Sequence, residues 1–295
     1  MKSIQEQATN KITLAGKLLD ATFGDGKLAD GRYYERATVT VRVTQTYNGR
    51  EETSEIPVSM FAAQYTNANK PNPAYKQIQD LKNMKTVQNY GFDEADMVRI
   101  SGAQLQENNF VTKSGQLIDG WQIRSSFINT GAKSDVATFA IDIFILDMHD
   151  ELDREGDPTG HLIVKGGIVQ YGGKLDVIEF VAEAPDVVDY IERNWNVNDT
   201  LQARGRIRVT SEEVKPAASS SGWGEDIPET TTRFVRKLVI TSGDDQGREE
   251  DFAYDPNDIR KAFNVRKANI EQLQVNASQK SAPKKEEKAS KYSWE

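Results

Sequence analysis

The sequence predicts a mainly β protein of two tandem five-stranded barrels with short helices, followed by an amphipathic helix and a disordered tail. Three features lead to this prediction. Polar and apolar residues alternate, as they do in half-buried strands, in segments that continue to about residue 243. A short helical segment with proline in its first turn occurs once in each half. A longer helical pattern then begins at residue 256.

The first half contains five strand segments and one helix. The valines of ERATVTVRVTQTY (35–47) alternate with threonine and arginine, and Asn48-Gly49 then gives a strong hairpin signal. The helix NPAYKQIQDLKNM (72–84) has Asn72 as its expected N-cap and Pro73 in its first turn. The other strands are ITLAGKLLDATF (12–23, followed by the loop GDGKLADG), TSEIPVSMFA (53–62), DMVRISGAQLQ (96–106) and QLIDGWQIRSSFI (116–128).

The second half repeats this order of elements. Its helix is PDVVDYIERNW (185–195), and residues 121–131 align with residues 233–243, which sets Arg124 against Arg236. Five strands with a helix between the third and fourth is the element order of an OB-fold barrel. One larger β-sandwich with short helices is the alternative, because strand number alone does not distinguish the two. The predicted strands are TFAIDIFILDM (138–148), LIVKGGIVQYGG (162–173), KLDVIEFVAE (174–183), DTLQARGRIRVT (199–210) and TRFVRKLVITSG (232–243).

We therefore expect three regions. Residues 1–134 form the first OB-fold-like barrel, residues 135–274 form the second barrel with the C-terminal helix, and residues 275–295 form a disordered charged tail. The helix has an apolar face, which we expect to dock on the second barrel. This face consists of Ile259, Phe263, Ile270 and Leu273.

Composition and motifs argue against a secreted protein and against an enzyme. The 295 residues include no cysteine, which excludes disulfides, thiolate zinc sites and cysteine nucleophiles. We expect a soluble, cytoplasmic protein, since the sequence contains no secretory signal and no segment long and apolar enough to span a bilayer. No phosphate-binding loop, nucleophile elbow or HExxH motif occurs, so we expect no cofactor and no metal. A metal-dependent nuclease that uses the acidic stretch around Asp147 and His149 is a weaker alternative.

Three arginines in LQARGRIRV (201–209) lie on one face of a predicted strand. Residues 201, 203, 205, 207 and 209 face the core in this pattern, and Arg204, Arg206 and Arg208 face outward. The net charge of −8 does not exclude a basic surface, because residues 244–258 alone carry −6. Adjacent cations repel each other, so the pattern predicts a neutralising partner such as DNA phosphates. A solvated face paired with acidic residues opposite is the alternative.

Aromatic residues accompany these cations. Single-stranded nucleic acid is held by cations that contact phosphates and by aromatic faces on which bases stack. Trp223 lies between glycines in the loop 211–232, which corresponds to a ligand-binding loop of OB-folds, although it could also pack back on the barrel. Phe61 and Trp121 lie within strands, where aromatic residues more often belong to the core. The candidate nucleic-acid-binding residues are Arg204, Arg206, Arg208, Trp223, Arg233, Arg236 and Lys237 in the second barrel and Tyr33, Tyr34, Arg36, Arg42, Tyr47, Lys113, Trp121 and Arg124 in the first.

The chain resembles the phage-type single-stranded DNA-binding proteins with OB-folds. The resemblance lies in ITLAGKLLDATF, in GQLIDGWQIRSSFI, in GWGEDIPETTTRFVRKLVITSG and in a charged tail that ends in aromatic residues. It implies that Tyr292 and Trp294 of the tail bind replication proteins. Cellular members of this class typically end in a strongly acidic tail, whereas residues 280–295 here carry five lysines and three glutamates.

The main hypothesis is a non-enzymatic, sequence-tolerant binder of single-stranded DNA in phage DNA replication or recombination. We expect such a protein to bind DNA more weakly when the arginines of residues 201–209 are replaced, with little effect on folding. The alternative is a protein-interaction or assembly module of a replication or virion complex that binds no nucleic acid. The sequence leaves open whether DNA or RNA is preferred, because neither stacking nor phosphate contacts read the 2′-hydroxyl.

Overall fold

The chain folds into two closed five-stranded barrels, and the computed structural model describes residues 1–47, 49–112, 114–153, 155–214 and 231–281. In each barrel a helix follows the third strand, and the third and fifth strands are parallel to each other. Mainly β structure, two OB-fold-like barrels and a C-terminal helix were all predicted from the sequence, and the structure confirms them.

The first half contains eight strands, five of which form the first barrel. They are β1 (Asn10–Lys27), β2 (Tyr33–Tyr47), β3 (Arg50–Ala63), β4 (Met97–Glu107), β5 (Phe110–Val111), β6 (Leu117–Ile118), β7 (Trp121–Ser125) and β8 (Phe127–Thr130). The barrel runs β1–β2–β3–β7–β4, and β4 pairs back with β1. The pairing of β2 with β3 continues to Tyr47 opposite Arg50, which confirms the predicted hairpin. Val39, Val41 and Val43 of β2 are buried, as their alternation predicts.

The second half contains five strands. They are β9 (Val136–Leu152), β10 (Pro158–Val169), β11 (Leu175–Ala182), β12 (Thr200–Val214) and β13 (Thr231–Gly243). They close in the order β9–β10–β11–β13–β12, with β12 paired back to β9. The repeated order of elements that the sequence predicts is therefore a repeated topology.

The two barrels share one continuous sheet. Residues 10–15 of β1 pair antiparallel with residues 136–141 of β9. The hairpin of β2 and β3 also reaches the second barrel, where the Ser54 hydroxyl accepts a hydrogen bond from the Val209 amide at 3.2 Å. The two barrels are thus joined by a backbone ladder and by a second contact between a side chain and a backbone amide.

The described residues also form four α-helices. They are α1 (Pro73–Leu81), α2 (Val87–Tyr90), α3 (Pro185–Asn194) and α4 (Pro256–Ser281). Asn72 caps α1 as predicted, since its side chain accepts a hydrogen bond from the Ala74 amide. Ile259 of α4 is buried in the core, whereas Leu273 is largely exposed, so α4 packs mainly through its first turns. This helix continues to Ser281 rather than ending at 274.

Two segments differ from the prediction. Residues 24–27, predicted as part of a loop, extend β1, and a turn closed by the Leu28 amide and the Arg32 carbonyl follows. The segment 116–128, predicted as one strand, is divided among β6, β7 and β8. The break between β7 and β8 is held by the Ser125 hydroxyl, which donates to the Ser101 carbonyl and accepts from the Phe127 amide. These side-chain bonds replace ladder bonds and cannot be predicted from polar and apolar alternation.

Candidate nucleic-acid interface

The outward side of β1, β2 and β3 carries an aromatic pair and an arginine. Tyr34 lies between Gly26 of β1 and Ala63 of β3, and Arg36 lies between Gly24 and Phe61 in the same register. The rings of Tyr34 and Phe61 are in contact, with 5.1 Å between their centres. Phe61 is 42% exposed and Tyr34 is half-buried, so the pair is partly open to solvent.

Two glycines allow the side chains of β2 to lie flat across β1. A Cβ atom at position 26 would lie 2.7 Å from the Tyr34 hydroxyl oxygen, and one at position 24 would lie 2.7 Å from Arg36 Nε. Real Cβ atoms essentially never approach other heavy atoms this closely. Glycine within a strand often marks such a close approach, and here it positions the aromatic and cationic groups.

Arg124 extends this surface onto β7. It lies beside Ser59 of β3 in the parallel pairing, and its Nη1 atom is 3.3 Å from Oε1 of Gln106. Arg36 and Arg124 are both exposed, and neither forms an ion pair with any described residue. We call Tyr34, Arg36, Phe61 and Arg124 together the first-barrel face. It combines guanidinium groups that have no ion pair with a described residue and partly exposed aromatic rings, on strands that OB-folds use for ligands.

The other candidates of the first barrel lie in different surroundings. Tyr33 is exposed, with Lys27 Nζ 4.6 Å from its ring centre. Arg42 forms an ion pair with Glu55 at 2.6 Å, so its charge is already compensated. Trp121 is only 9% exposed and belongs to the core, which its position within a strand predicts. Lys113 lies outside the described residues.

The arginines of residues 201–209 are neutralised by carboxylates of this chain. The predicted alternation is confirmed, because Leu201, Ala203, Ile207 and Val209 are buried. Arg206 forms an ion pair with Glu52 of the β2–β3 hairpin, and it lies 3.7 Å from Glu183. The Arg208 guanidinium donates to Oε2 of the same Glu183 at 2.8 Å. The acidic partners thus come from both barrels.

Lys237 joins these ion pairs, whereas Arg204 forms a separate one. Lys237 Nζ lies 2.8 Å from Glu151 and 3.5 Å from Glu183. Burial raises the pKa of Glu151, but hydrogen bonds from Lys237 and His161 outweigh it and hold the pKa below its usual value. Arg204 is 49% exposed and contacts Asp244 at 3.5 Å, so it is the most accessible of the three arginines. We call Glu52, Arg206, Glu183, Arg208, Lys237 and Glu151 the ion-pair cluster.

Arg236 points to the opposite side of β13 from Lys237. It lies opposite the inward residue Val209, and its guanidinium carbon is 4.3 Å from the centre of the Trp121 ring. Partial burial lowers the pKa of Arg236. No described carboxylate forms an ion pair with it. Arg236 therefore brings an uncompensated cation to the junction of the barrels, where Trp121 of the first barrel supports it.

The remaining candidate residues either lie outside the described part of the chain or are already engaged within the protein. The side chain of Arg233 belongs to the part of β13 whose side chains are not described, and Trp223, Tyr292 and Trp294 lie outside the described residues. Tyr47 supports Arg206 by stacking and is not a free aromatic platform.

Phe61 is exposed, although aromatic residues within strands more often belong to the core, and the sequence contains the information to place it outside. Ile56, Val58 and Met60 are the inward residues of β3, so strict alternation puts Phe61 on the outward side. The sequence does not indicate that Gly24 and Gly26 lie under the side chains of β2, because their segment has the composition of a turn.

The described residues include no group of three or more acidic residues, histidines or cysteines arranged to hold a metal ion. The two histidines each contact one carboxylate: His149 lies 3.1 Å from Asp147, and His161 lies 2.7 Å from Glu151. In the described part of the chain, no helix is long and apolar enough to cross a membrane.

Comparisons with known proteins bear on the family and the fold. A family model described as YorF matches residues 9–276. No curated protein matches the chain. The structure is similar to the wild-type single-stranded DNA binding protein from Thermus aquaticus, with a TM-score of 0.52 and 12% identity over 84% of this chain and 98% of that one. A deletion mutant of the same Thermus aquaticus protein matches with a TM-score of 0.50 and 13% identity over 85% of this chain and 98% of that one.

Proposed function

The chain belongs to the YorF family, and we propose that it is a non-enzymatic protein that binds single-stranded DNA with little sequence preference. The observation that carries the proposal is the first-barrel face, where the open Tyr34–Phe61 pair lies beside the uncompensated Arg36. The likeness in fold to a protein named for single-stranded DNA binding supports it. In this proposal the protein protects or organises DNA during phage replication or recombination in the cytoplasm.

The chemistry of the first-barrel face suits an unpaired strand. Bases present π-faces only when they are not enclosed in a duplex, and each base stacked on an aromatic side chain contributes about 1–3 kcal/mol. Arg36 and Arg124 provide planar guanidinium groups, which bind phosphate oxygens through paired hydrogen bonds. Stacking and phosphate contacts do not read base edges, and this explains why we expect little sequence preference.

The second barrel contributes less through residues 201–209 than the sequence alone suggests. Arg206 and Arg208 are held by Glu52 and Glu183, so a phosphate must compete with a carboxylate already in place. Arg204 and Arg236 are the more accessible cations, and we propose that Trp223 and Arg233 act with them. We also propose that Tyr292 and Trp294 bind replication proteins.

The test is a binding measurement by fluorescence anisotropy with labelled oligo-dT of ~20–30 nucleotides, since each OB-fold covers roughly 4–16. We expect a dissociation constant between nanomolar and micromolar that rises steeply and log-linearly with salt, because phosphate contacts release counterions. Duplex of equal length is the control and should bind far more weakly. Equal affinity for duplex would refute the proposal. Absence of any DNA binding would favour the protein-interaction module instead.

A further inference from the structure

Parts of both barrels and of α4 surround a cavity of about 310 Å³ at the barrel junction. Residues 119–121, which connect β6 to β7, form one wall, β10 and β11 form a second, and Arg236 of β13 and Arg266 of α4 close it. Its volume is at the lower end of the range of small-molecule sites. The cation of Arg236 is held in place at this cavity, because its guanidinium lies over the Trp121 ring.

The three cations in the walls differ in how far they are compensated. Arg266 is fully engaged, since its guanidinium donates several hydrogen bonds to the buried Glu107. Lys165 lies 3.7 Å from Glu179, and both side chains are exposed, so this pair contributes little. The other acidic residue of the wall, Asp119, is exposed and forms no ion pair with a described residue. Among the described residues, Arg236 is the cation of the wall that has no counter-ion.

We infer that this cavity is an anion-binding subsite in which Arg236, with Lys165 beside it, holds a phosphodiester group of the bound strand as it passes between the barrels. Arg236 is exposed to solvent and has no ion-pair partner among the described residues, so an incoming phosphate supplies its counter-charge. The Trp121 ring centre lies 4.3 Å from the guanidinium carbon of Arg236, and this contact limits the orientations of the guanidinium donors.

The location agrees with a strand that continues from the first-barrel face. Trp121 and Arg124 are three residues apart on β7, about 10 Å along the strand, and their side chains lie on opposite sides of it. Since Trp121 is the first residue of β7, DNA held by Arg124 reaches the cavity by passing around the start of this strand. The inference rests on the proposed function, because it names a second contact for the same ligand.

The experiment compares Arg236→Gln with the wild type and with Arg260→Gln, which removes an exposed arginine of α4 outside this cavity. Binding to oligo-dT of about 30 nucleotides and its salt dependence are measured together with thermal unfolding. We expect Arg236→Gln to weaken binding at least fivefold and to lower the salt slope by about one, because one phosphate contact is lost. The midpoint of unfolding and the behaviour of Arg260→Gln should stay close to wild type.

Two results would overturn the subsite. In the first, Arg236→Gln binds DNA as the wild type does. In the second, its affinity falls only together with its melting temperature, and Arg236→Met, which packs on Trp121 without a charge, restores both in full; Arg236 would then only pack on Trp121. A wild-type protein that binds no oligonucleotide is a different failure, since it removes the proposed function and the subsite with it.

Discussion

The guanidinium carbon of Arg206 lies 3.7 Å from the centre of the Tyr47 ring, so a cation of the second barrel stacks on an aromatic residue of the first. The same guanidinium pairs with Glu52, which also belongs to the first barrel, and lies near Glu183 of its own barrel. A side chain placed in this way fixes the orientation of the barrels. The middle of residues 201–209 is therefore engaged in contacts within the protein and is less available to a ligand.

This relationship reverses one expectation drawn from the sequence, that loss of these arginines leaves folding nearly unchanged. Arg206→Ala removes the partner of Glu52 at a site where the arginine side chain is only 15% exposed. We expect the free energy of unfolding to fall by about 1–3 kcal/mol, since a partly buried carboxylate loses its counter-ion. Urea denaturation measures the change, and Arg204→Ala, at a more exposed position, is the control. Unchanged stability together with a large loss of DNA affinity would show that Arg206 serves the ligand.

Removing the aromatic rings of the first-barrel face should weaken DNA binding without changing its ionic character. We expect Tyr34→Ala and Phe61→Ala each to cost about 1–3 kcal/mol of affinity, with the salt slope unchanged, because stacking is not ionic. Titration with oligo-dT at several salt concentrations measures both quantities. Tyr171→Ala is the control, since Tyr171 is 88% exposed on the other barrel. If all three variants bind alike, bases do not stack on the Tyr34–Phe61 pair.

The arginines of the first-barrel face should act through charge. Arg36→Gln and Arg124→Gln are each expected to weaken binding to all sequences and to lower the salt slope by up to about one. Arg42→Gln provides a matched comparison on the neighbouring part of β2, because Glu55 already neutralises Arg42. An equal effect of all three substitutions would indicate a diffuse electrostatic attraction in place of a defined phosphate contact.

Gly26→Ala tests whether the absence of a side chain on β1 positions Tyr34. The added Cβ atom meets the far end of the Tyr34 side chain, which can move away while the strand stays paired. We expect lower DNA affinity and a nearly unchanged melting temperature. The effect should disappear when Gly26→Ala is introduced into the Tyr34→Ala variant, because residues that act through one contact are not additive. Additive losses of affinity would separate Gly26 from Tyr34.

Asp142 should make the fold sensitive to acid. Burial raises the pKa of this carboxyl, but hydrogen bonds from Arg248, Thr9 and Gln202 outweigh it and hold the pKa below its ordinary value. A carboxyl with a lowered pKa in the folded state contributes stability above its unfolded pKa of about 4. That contribution is lost as pH falls through the folded pKa.

The comparison of wild type with Asp142→Asn by urea denaturation between pH 7 and about pH 2.5 measures this contribution. We expect the difference in unfolding free energy to be largest near pH 7 and to shrink as the solution becomes more acidic. Asp30→Asn is the control, because the pKa of Asp30 is also lowered, by Arg32, but at the surface. A difference that stays constant with pH would assign the effect of Asp142 to packing.

The sequence predicts the barrels well because each strand carries its own evidence. The valines of β2 and the alternation of residues 201–209 report burial directly, and Asn72 reports the start of α1. The partners of the outward residues cannot be predicted in this way, because they lie far away in the chain. Glu52 is more than 150 residues from Arg206 in the chain, and no local pattern indicates that a hairpin of one barrel reaches the other.

The same difference between local patterns and long-range contacts applies to the candidate site. Tyr34, Arg36 and Arg124 were identified from the sequence as candidates, and the structure brings them to one surface. Arg36 and Arg42 look equivalent in the sequence, since both lie on the side of β2 opposite its valines. They differ only because Glu55 lies across the ladder from Arg42 whereas Phe61 lies across from Arg36. Strand register decides which cation is free, and register depends on the whole hairpin.

The ladder between residues 10–15 and residues 136–141 has a consequence for dissecting the protein. Cutting the chain between the barrels would leave each half with an open edge of unpaired amides and carbonyls on the first strand of its barrel. Such edges pair readily with other chains, and natural proteins cover or disrupt them. Separately produced halves should therefore self-associate through this edge. The smallest well-behaved unit of this protein is the pair of barrels.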